Sequence, residues 1–184
     1  MKATEQLKKD HEAVTTMLKI LDSVRQKLEA GENVPTEDME AMLDFLRTFV
    51  DKCHHGKEEN HLFPKLVEIG IPNEGGPIGV MLADHVEGRS YIKGFADGLA
   101  LFKTGNAAGK EQIIINIERY SELLTNHIFK ENNILFKMAD MHLADSDQKI
   151  LLEKFDEVEE NIVGKGKHEE YHRLLERFSE KYHA

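Results

Sequence analysis

One phrase occurs twice in this chain and constrains its fold more than any other feature. The stretch His54–Phe63 follows the pattern His-x3-Glu-x3-Leu-Phe, and the stretch His127–Phe136 follows it again. Residues four apart lie one above the other on an α-helix, so each copy places an imidazole and a carboxylate on one helix face. A lone histidine on an earlier segment, His11 or His85, precedes each copy. The repeat therefore predicts two similar helical hairpins.

Apolar residues recur at helical spacing almost throughout the chain, and no alternating strand pattern is present. Breaks, most of them marked by glycine, proline or asparagine, divide the chain into helices of about 3–30, 36–69, 77–103, 109–140, 145–162 and 167–182. Thr36 is the expected N-cap of the second helix, and Asp145 or Ser146 that of the fifth.

Four long helices joined by short loops predict an all-α, up-down-up-down four-helix bundle over residues 1–143. Residues 144–184 then predict one or two additional C-terminal helices, which form an extension packed on or beside the bundle.

The helix lengths place the repeated residues at one level of such a bundle. His11 lies about 19 residues before the first loop and His54 about 18 residues after the second helix begins, so both stand roughly 27–29 Å from that turn. His85 and His127 stand at nearly the same distances from the turn between the third and fourth helices. Six potential metal ligands should therefore share one layer. They are His11, His54, Glu58, His85, His127 and Glu131.

The donor types in this layer predict a site for two metal ions. Imidazole suits iron, zinc, copper and nickel, and a carboxylate can bridge two ions. Glu58 and Glu131 are placed to bridge, and two histidines would cap each metal. With one bridging hydroxide each metal has about five donors, which leaves one position for dioxygen, nitric oxide or peroxide.

The pair His55 and Glu59 competes with His54 and Glu58, because both pairs have the same spacing. Only His54 and Glu58 align with the second copy of the repeat when the Leu-Phe pairs are superimposed. Because His55 and Glu59 lie about 100° further around the helix, we expect them behind the ligands or in solvent.

Three other side chains are expected on or near the ligand face. His61 follows a ligand histidine by seven residues and Tyr120 precedes another by seven, so both are on the ligand face and are candidates for the pocket. Against His61, its equivalent in the repeat is the apolar Ile134. Arg89 lies one turn beyond the third-helix histidine and should either pair with a carboxylate or stand at a solvated mouth.

These motifs resemble the hemerythrin-like proteins, the HHE cation-binding domain family. The matching stretches are Lys9–Glu12, Cys53–Pro64 and Gly75–His85 together with the second His-x3-Glu pair, within about residues 5–140. The resemblance implies two iron ions in a non-heme centre with an oxo or hydroxo bridge, which binds or reacts with oxygen species; zinc or nickel could substitute for iron. Respiratory members have a second histidine where this chain has Arg89, and they end with His-x4-Asp. The chain is therefore closer to the four-histidine, two-glutamate members associated with iron sensing or iron–sulfur repair.

Three functions are compatible with these residues. The first is a diiron protein that binds or reacts with oxygen, nitric oxide or peroxide species. The second is a diiron oxidoreductase for peroxide or nitric oxide, or an iron donor for the repair of iron–sulfur clusters. The third is a metal-stabilised protein-interaction module whose last two helices bind a partner.

Composition limits the classes of partner and the cellular location that we expect for this chain. A formal net charge of -10 argues against nonspecific binding to nucleic acid or to anionic membranes. No apolar run approaches the roughly 20 residues of a membrane span, and the single cysteine, Cys53, excludes an intrachain disulfide. We therefore expect a cytoplasmic monomer or weak homodimer whose partner is a small diatomic or peroxide ligand.

Overall fold

The computed structural model describes residues 1–164 and 166–184. Within this part of the chain the helical segments join into six continuous helices without a strand, which confirms the all-α prediction. The α-helical segments are α1 (Ala3–Glu29), α2 (Thr36–Phe45), α3 (Phe63–Glu68), α4 (Pro77–Lys103), α5 (Ala107–Lys130), α6 (Phe136–His142), α7 (Asp145–Val158) and α8 (Lys167–Tyr182). None of the helices in the described ranges has the length and apolar character needed to cross a membrane.

Two predicted N-caps lie one or two residues too late in the sequence. Thr36 is already the first helical residue of α2, because the extended backbone of the cap position belongs to Pro35. In the same way, the cap of α7 is Ala144 rather than Asp145 or Ser146. The helix α5 begins two residues earlier than predicted, because the Asn106 side chain accepts a hydrogen bond from an otherwise free amide of the first turn.

Turns of π-helix interrupt the second and fourth bundle helices where the His-x3-Glu pairs lie. One such turn, Glu58–Leu62, precedes α3, and another, Glu131–Leu135, precedes α6. A longer π-helical segment, Leu46–His55, follows α2. A π-turn holds an extra residue, so it rotates the residues after it relative to a regular α-helix, and such turns are frequent at functional sites. Both potential bridging carboxylates are the first residues of such turns.

Two apolar clusters fill the bundle, one on each side of the predicted ligand level. Along α1, Leu7 belongs to one cluster and Met17 to the other, with His11 between them. Along α4 the two clusters follow in the same order, with Met81 in the first and Ile92 in the second. The order of the clusters is reversed in the second bundle helix, which contains α2 and α3, and in the fourth, which contains α5 and α6. The alternating order is that of an up-down-up-down arrangement and leaves a polar layer between two dry cores.

The C-terminal helices pack across both apolar clusters. Phe155 of α7 is buried in the cluster that contains Leu7, and Phe178 of α8 is buried in the other. The Gln148 side chain also accepts a hydrogen bond from the Ala3 amide at 2.8 Å. The extension therefore covers α1 on both sides of the polar layer.

Candidate metal centre

The side chains predicted as metal ligands converge in the layer between the two apolar clusters. The Nε2 atoms of His11 and His54 lie 3.0 Å apart, and those of His85 and His127 lie 3.2 Å apart. None of the six residues is more than 3% exposed. The layer thus contains two imidazole pairs, one from each helical hairpin.

Each of the two glutamates lies between the imidazole pairs. Oε1 of Glu58 is 3.6 Å from Nε2 of His54, and its Oε2 is 3.5 Å from Nε2 of His85. Oε2 of Glu131 is 3.1 Å and 3.3 Å from the Nε2 atoms of the other two histidines. Both carboxylates therefore reach both pairs, as bridging ligands must.

The donor set fits metal cations. All four oxygens of the two glutamates are buried and have no hydrogen-bond partner among the described residues. A buried carboxylate is costly unless it is paired or coordinates a metal. Nitrogen and oxygen donors of this kind suit first-row transition metals. The donor atoms form two groups, and within each group all atoms lie within 4.8 Å of one another. One group comes from His11, His54, Glu58 and Glu131, and the other from His55, Glu58, His85 and His127.

Hydrogen bonds from neighbouring helices orient the four paired histidines. Each imidazole donates its Nδ1–H to a side-chain oxygen, which leaves the Nε2 lone pair for a metal. Such bonds fix the tautomer and the orientation of the ring. The partners are Asp10 for His54 and Asp84 for His127, both at 3.2 Å, Glu59 for His85 at 2.7 Å, and Asn132 for His11 at 2.9 Å.

Two lysines extend this arrangement and were missed by the sequence reasoning. Lys57 Nζ donates to Asp10 at 2.9 Å and to Glu159 of the C-terminal extension at 2.6 Å. Lys130 Nζ donates to Asp84 at 2.5 Å. The signal was present in the repeat, because an Asp precedes each lone histidine and a Lys precedes each glutamate of the two His-x3-Glu pairs.

His55 does not lie in solvent, which corrects one of the two places expected for it. It is 5% exposed, and its ring stacks on His85 with centroids 3.8 Å apart. Neither of its nitrogens has a hydrogen-bond partner among the residues that the structure describes, and Asp51 lies 3.5 Å from Nδ1. The cause is the π-helical segment Leu46–His55, which holds more residues per turn than the assumed α-helix. Glu59 lies behind a ligand, because it holds His85.

A cavity of about 160 Å³ opens beside the layer, and Arg89, Tyr120 and His55 contribute to its walls. Arg89 pairs with two carboxylates, donating from Nε to Asp51 and from Nη2 to Glu59, both at 2.7 Å. Its side chain is 40% exposed. The guanidinium is thus both paired and solvated, as the sequence predicted, while Tyr120 is buried in the cavity wall.

His61 does not face the polar layer, so its expected place in the pocket is wrong. It lines an outer groove with Asn60, Lys65 and Asp147. The expectation assumed an unbroken α-helix over the seven residues from His54. The π-turn Glu58–Leu62 rotates His61 away from that face.

Burial and neighbouring charges set the protonation of the layer. Burial would lower the pKa of His85, but the Glu58 and Glu59 carboxylates outweigh it and raise the pKa to about 9. Burial would raise the pKa of Glu131, but the neighbouring imidazoles outweigh it and lower the pKa. For His55, burial lowers the pKa well below its ordinary value, and repulsion from His85 adds to this. Glu131 therefore already has the ionised form that binds metals, whereas a metal ion at His85 must displace the proton that the raised pKa retains near neutral pH.

The comparison with family models gives one match. The model described as the hemerythrin HHE cation binding domain matches residues 2–139. Neither the curated proteins nor the solved structures include a match to this chain. The matched range contains all six side chains of the layer and ends before α7.

Proposed function

The chain belongs to the hemerythrin HHE cation-binding domain family, and from this premise we propose that it holds a non-heme diiron centre that reacts with dioxygen, nitric oxide or peroxide. A cation-binding role follows from the family and from the buried histidine and glutamate groups. The proposal adds the number of metals, their identity and the reaction with a small oxidant.

The observation that carries the proposal is the position of the unpaired carboxylate oxygens. Glu58 and Glu131 are fully buried between two imidazole pairs, and no described residue donates a hydrogen bond to their oxygens. Two divalent cations would use all four Nε2 lone pairs, and the two carboxylates with a bridging hydroxide would neutralise most of their charge. A single cation could not occupy both imidazole pairs.

We propose iron because mixed nitrogen and carboxylate donors suit it and because the family binds cations. The same donors bind zinc and nickel, and affinity alone does not favour ferrous iron over these ions. When bound, a ferrous pair would supply two electrons to a small oxidant. The protein contributes the fixed imidazoles, the bridging carboxylates and two apolar clusters that keep bulk water from the layer.

The cavity beside the layer favours a reaction over simple carriage of oxygen. Arg89 lines this cavity and is held by Asp51 and Glu59, so its guanidinium has a fixed place in the wall. Tyr120 is buried in the same wall and provides a phenol group there. Polar donors near an open metal position stabilise developing negative charge, which assists reduction of an oxidant.

We expect the protein loaded anaerobically with ferrous iron to bind two ions per chain. Exposure to air or peroxide should then produce visible absorption that removal of oxygen does not reverse. Metal analysis and optical spectra before and after exposure measure both quantities.

The zinc-loaded protein is the control, because zinc has no redox chemistry and its spectrum should stay unchanged. Absorption that disappears on deoxygenation would identify an oxygen carrier instead. A folded protein that binds no iron would remove the diiron proposal altogether.

A further inference from the structure

His55 lacks the hydrogen bond to a second side chain that orients each of the four paired histidines. The four paired histidines each donate Nδ1–H to an oxygen, whereas both nitrogens of His55 are buried without a partner in the described part of the chain. The side chain is only 5% exposed. A buried polar group in a well-packed protein normally has a partner, so an unpaired imidazole beside a metal-binding layer indicates an absent ligand.

The position of His55 shows which ligand it can reach. A nitrogen of its ring lies within 4.8 Å of donor atoms from Glu58, His85 and His127. Its ring is stacked on that of His85, with an angle of 16° between the planes, and its centroid is 5.8 Å from that of His127. The separation of the donor atoms is close to that of ligands of one metal ion, which takes nitrogen ligands at about 2.0–2.1 Å.

The internal repeat shows that this imidazole has no counterpart in the other half of the centre. His54 and His127 occupy equivalent positions, so the residue equivalent to His55 is Ile128. The pair His11 and His54 consequently has no third imidazole from that position. The cavity adds to the asymmetry, because His55 contributes to its wall and none of the six layer residues does.

We propose that His55 is a third imidazole donor to the metal ion held by His85 and His127, and that it makes the two metal positions unequal. This inference rests on the proposed two-metal function. The position with three imidazoles binds borderline divalent cations more tightly than the other. It is also the position connected to the cavity, so His55 links the route of a small ligand to one particular metal.

The test is a titration of the metal-free protein with cobalt(II), followed by its visible absorption and by competition with a chelator. The unmodified protein should bind two ions with unequal affinities. His55→Phe retains a ring that can stack on His85 but has no donor atom. It should weaken one position at least about tenfold, change the cobalt absorption of that position, and leave the other unchanged.

His61→Phe is the matched control, since it removes a histidine of the same helix that faces the outer groove. It should alter neither affinity nor spectrum. A second variant, His55→Gly, leaves space beside the cavity, and added imidazole should restore the cobalt spectrum and the lost affinity. This rescue would not occur if His55 only filled space.

Unchanged affinities and spectra in His55→Phe, or equal weakening of both positions, would overturn the inference. If His55→Phe does not fold, His55→Gly decides alone: loss of one position with rescue supports the third donor, and two unaffected positions refute it. An unmodified protein that binds fewer than two cobalt ions would instead refute the proposed two-metal function.

Discussion

Glu58→Gln and Glu131→Gln should each lower the affinity for both metal ions by at least about a hundredfold, which corresponds to about 2.8 kcal/mol. Each carboxylate lies between the two imidazole pairs, so losing one charge affects both positions. Metal at about a thousand times its dissociation constant stabilises a folded protein by about 4 kcal/mol. Thermal unfolding with and without metal should show this stabilisation in the unmodified protein and its loss in both variants.

Glu59→Gln provides the matched control on the same helix. Glu59 holds His85 through Nδ1, and the equivalent oxygen in the other half belongs to the amide of Asn132. An amide is therefore sufficient at that place, and this variant should lose less than about tenfold in affinity. A greater loss of metal in Glu59→Gln than in Glu58→Gln would show that the centre lies elsewhere in the layer.

The level of the layer could be predicted from sequence because it depends on regular local geometry. The distance from a turn to His11 or His54 is set by the rise per residue, and short loops force neighbouring helices to be antiparallel. The internal repeat then supplies the same relation for the second hairpin. These facts concern the positions of Cα atoms along helices, and small changes in helical twist hardly alter them.

The direction of individual side chains could not be predicted equally well. His55 and His61 were misplaced because the second bundle helix contains π-turns, and each extra residue rotates the side chains after it. A π-turn is stabilised by the tertiary packing around it and has no strong sequence signal of its own. The spacing rule for an α-helix therefore failed at His55, inside the His54–Glu58 motif, and at His61, just after it.

The ion pair that joins the bundle to the C-terminal extension also could not be predicted from the sequence. Lys57 and Glu159 are 102 residues apart, and nothing in their spacing indicates contact. The repeat could have placed Lys57 beside Asp10, because Lys130 and Asp84 have equivalent positions. It could not have indicated that Lys57 is fully buried while Lys130 is 34% exposed.

That difference leads to a prediction about stability. Lys57→Met should lower the free energy of unfolding of the metal-free protein by about 3–5 kcal/mol, because it leaves the Asp10 carboxylate buried without its ammonium partner. For a chain of this length the melting temperature should fall by roughly 6–20 °C. Lys130→Met removes the equivalent but exposed partner of Asp84, so it should cost no more than about 1 kcal/mol.

Acid should reduce the difference between Lys57→Met and the unmodified protein. Burial would raise the pKa of Asp10, but His54 and Lys57 outweigh it and lower the pKa, so the carboxylate stabilises the fold fully above its unfolded pKa of about 4. This stabilisation is lost as the pH falls from about 4 through the lowered folded value. Urea unfolding at neutral pH and at about pH 3, which is below the unfolded pKa, measures the change. Equal losses for Lys57→Met and Lys130→Met at neutral pH would mean that Glu159 and solvent, rather than burial, determine the energy of this pair.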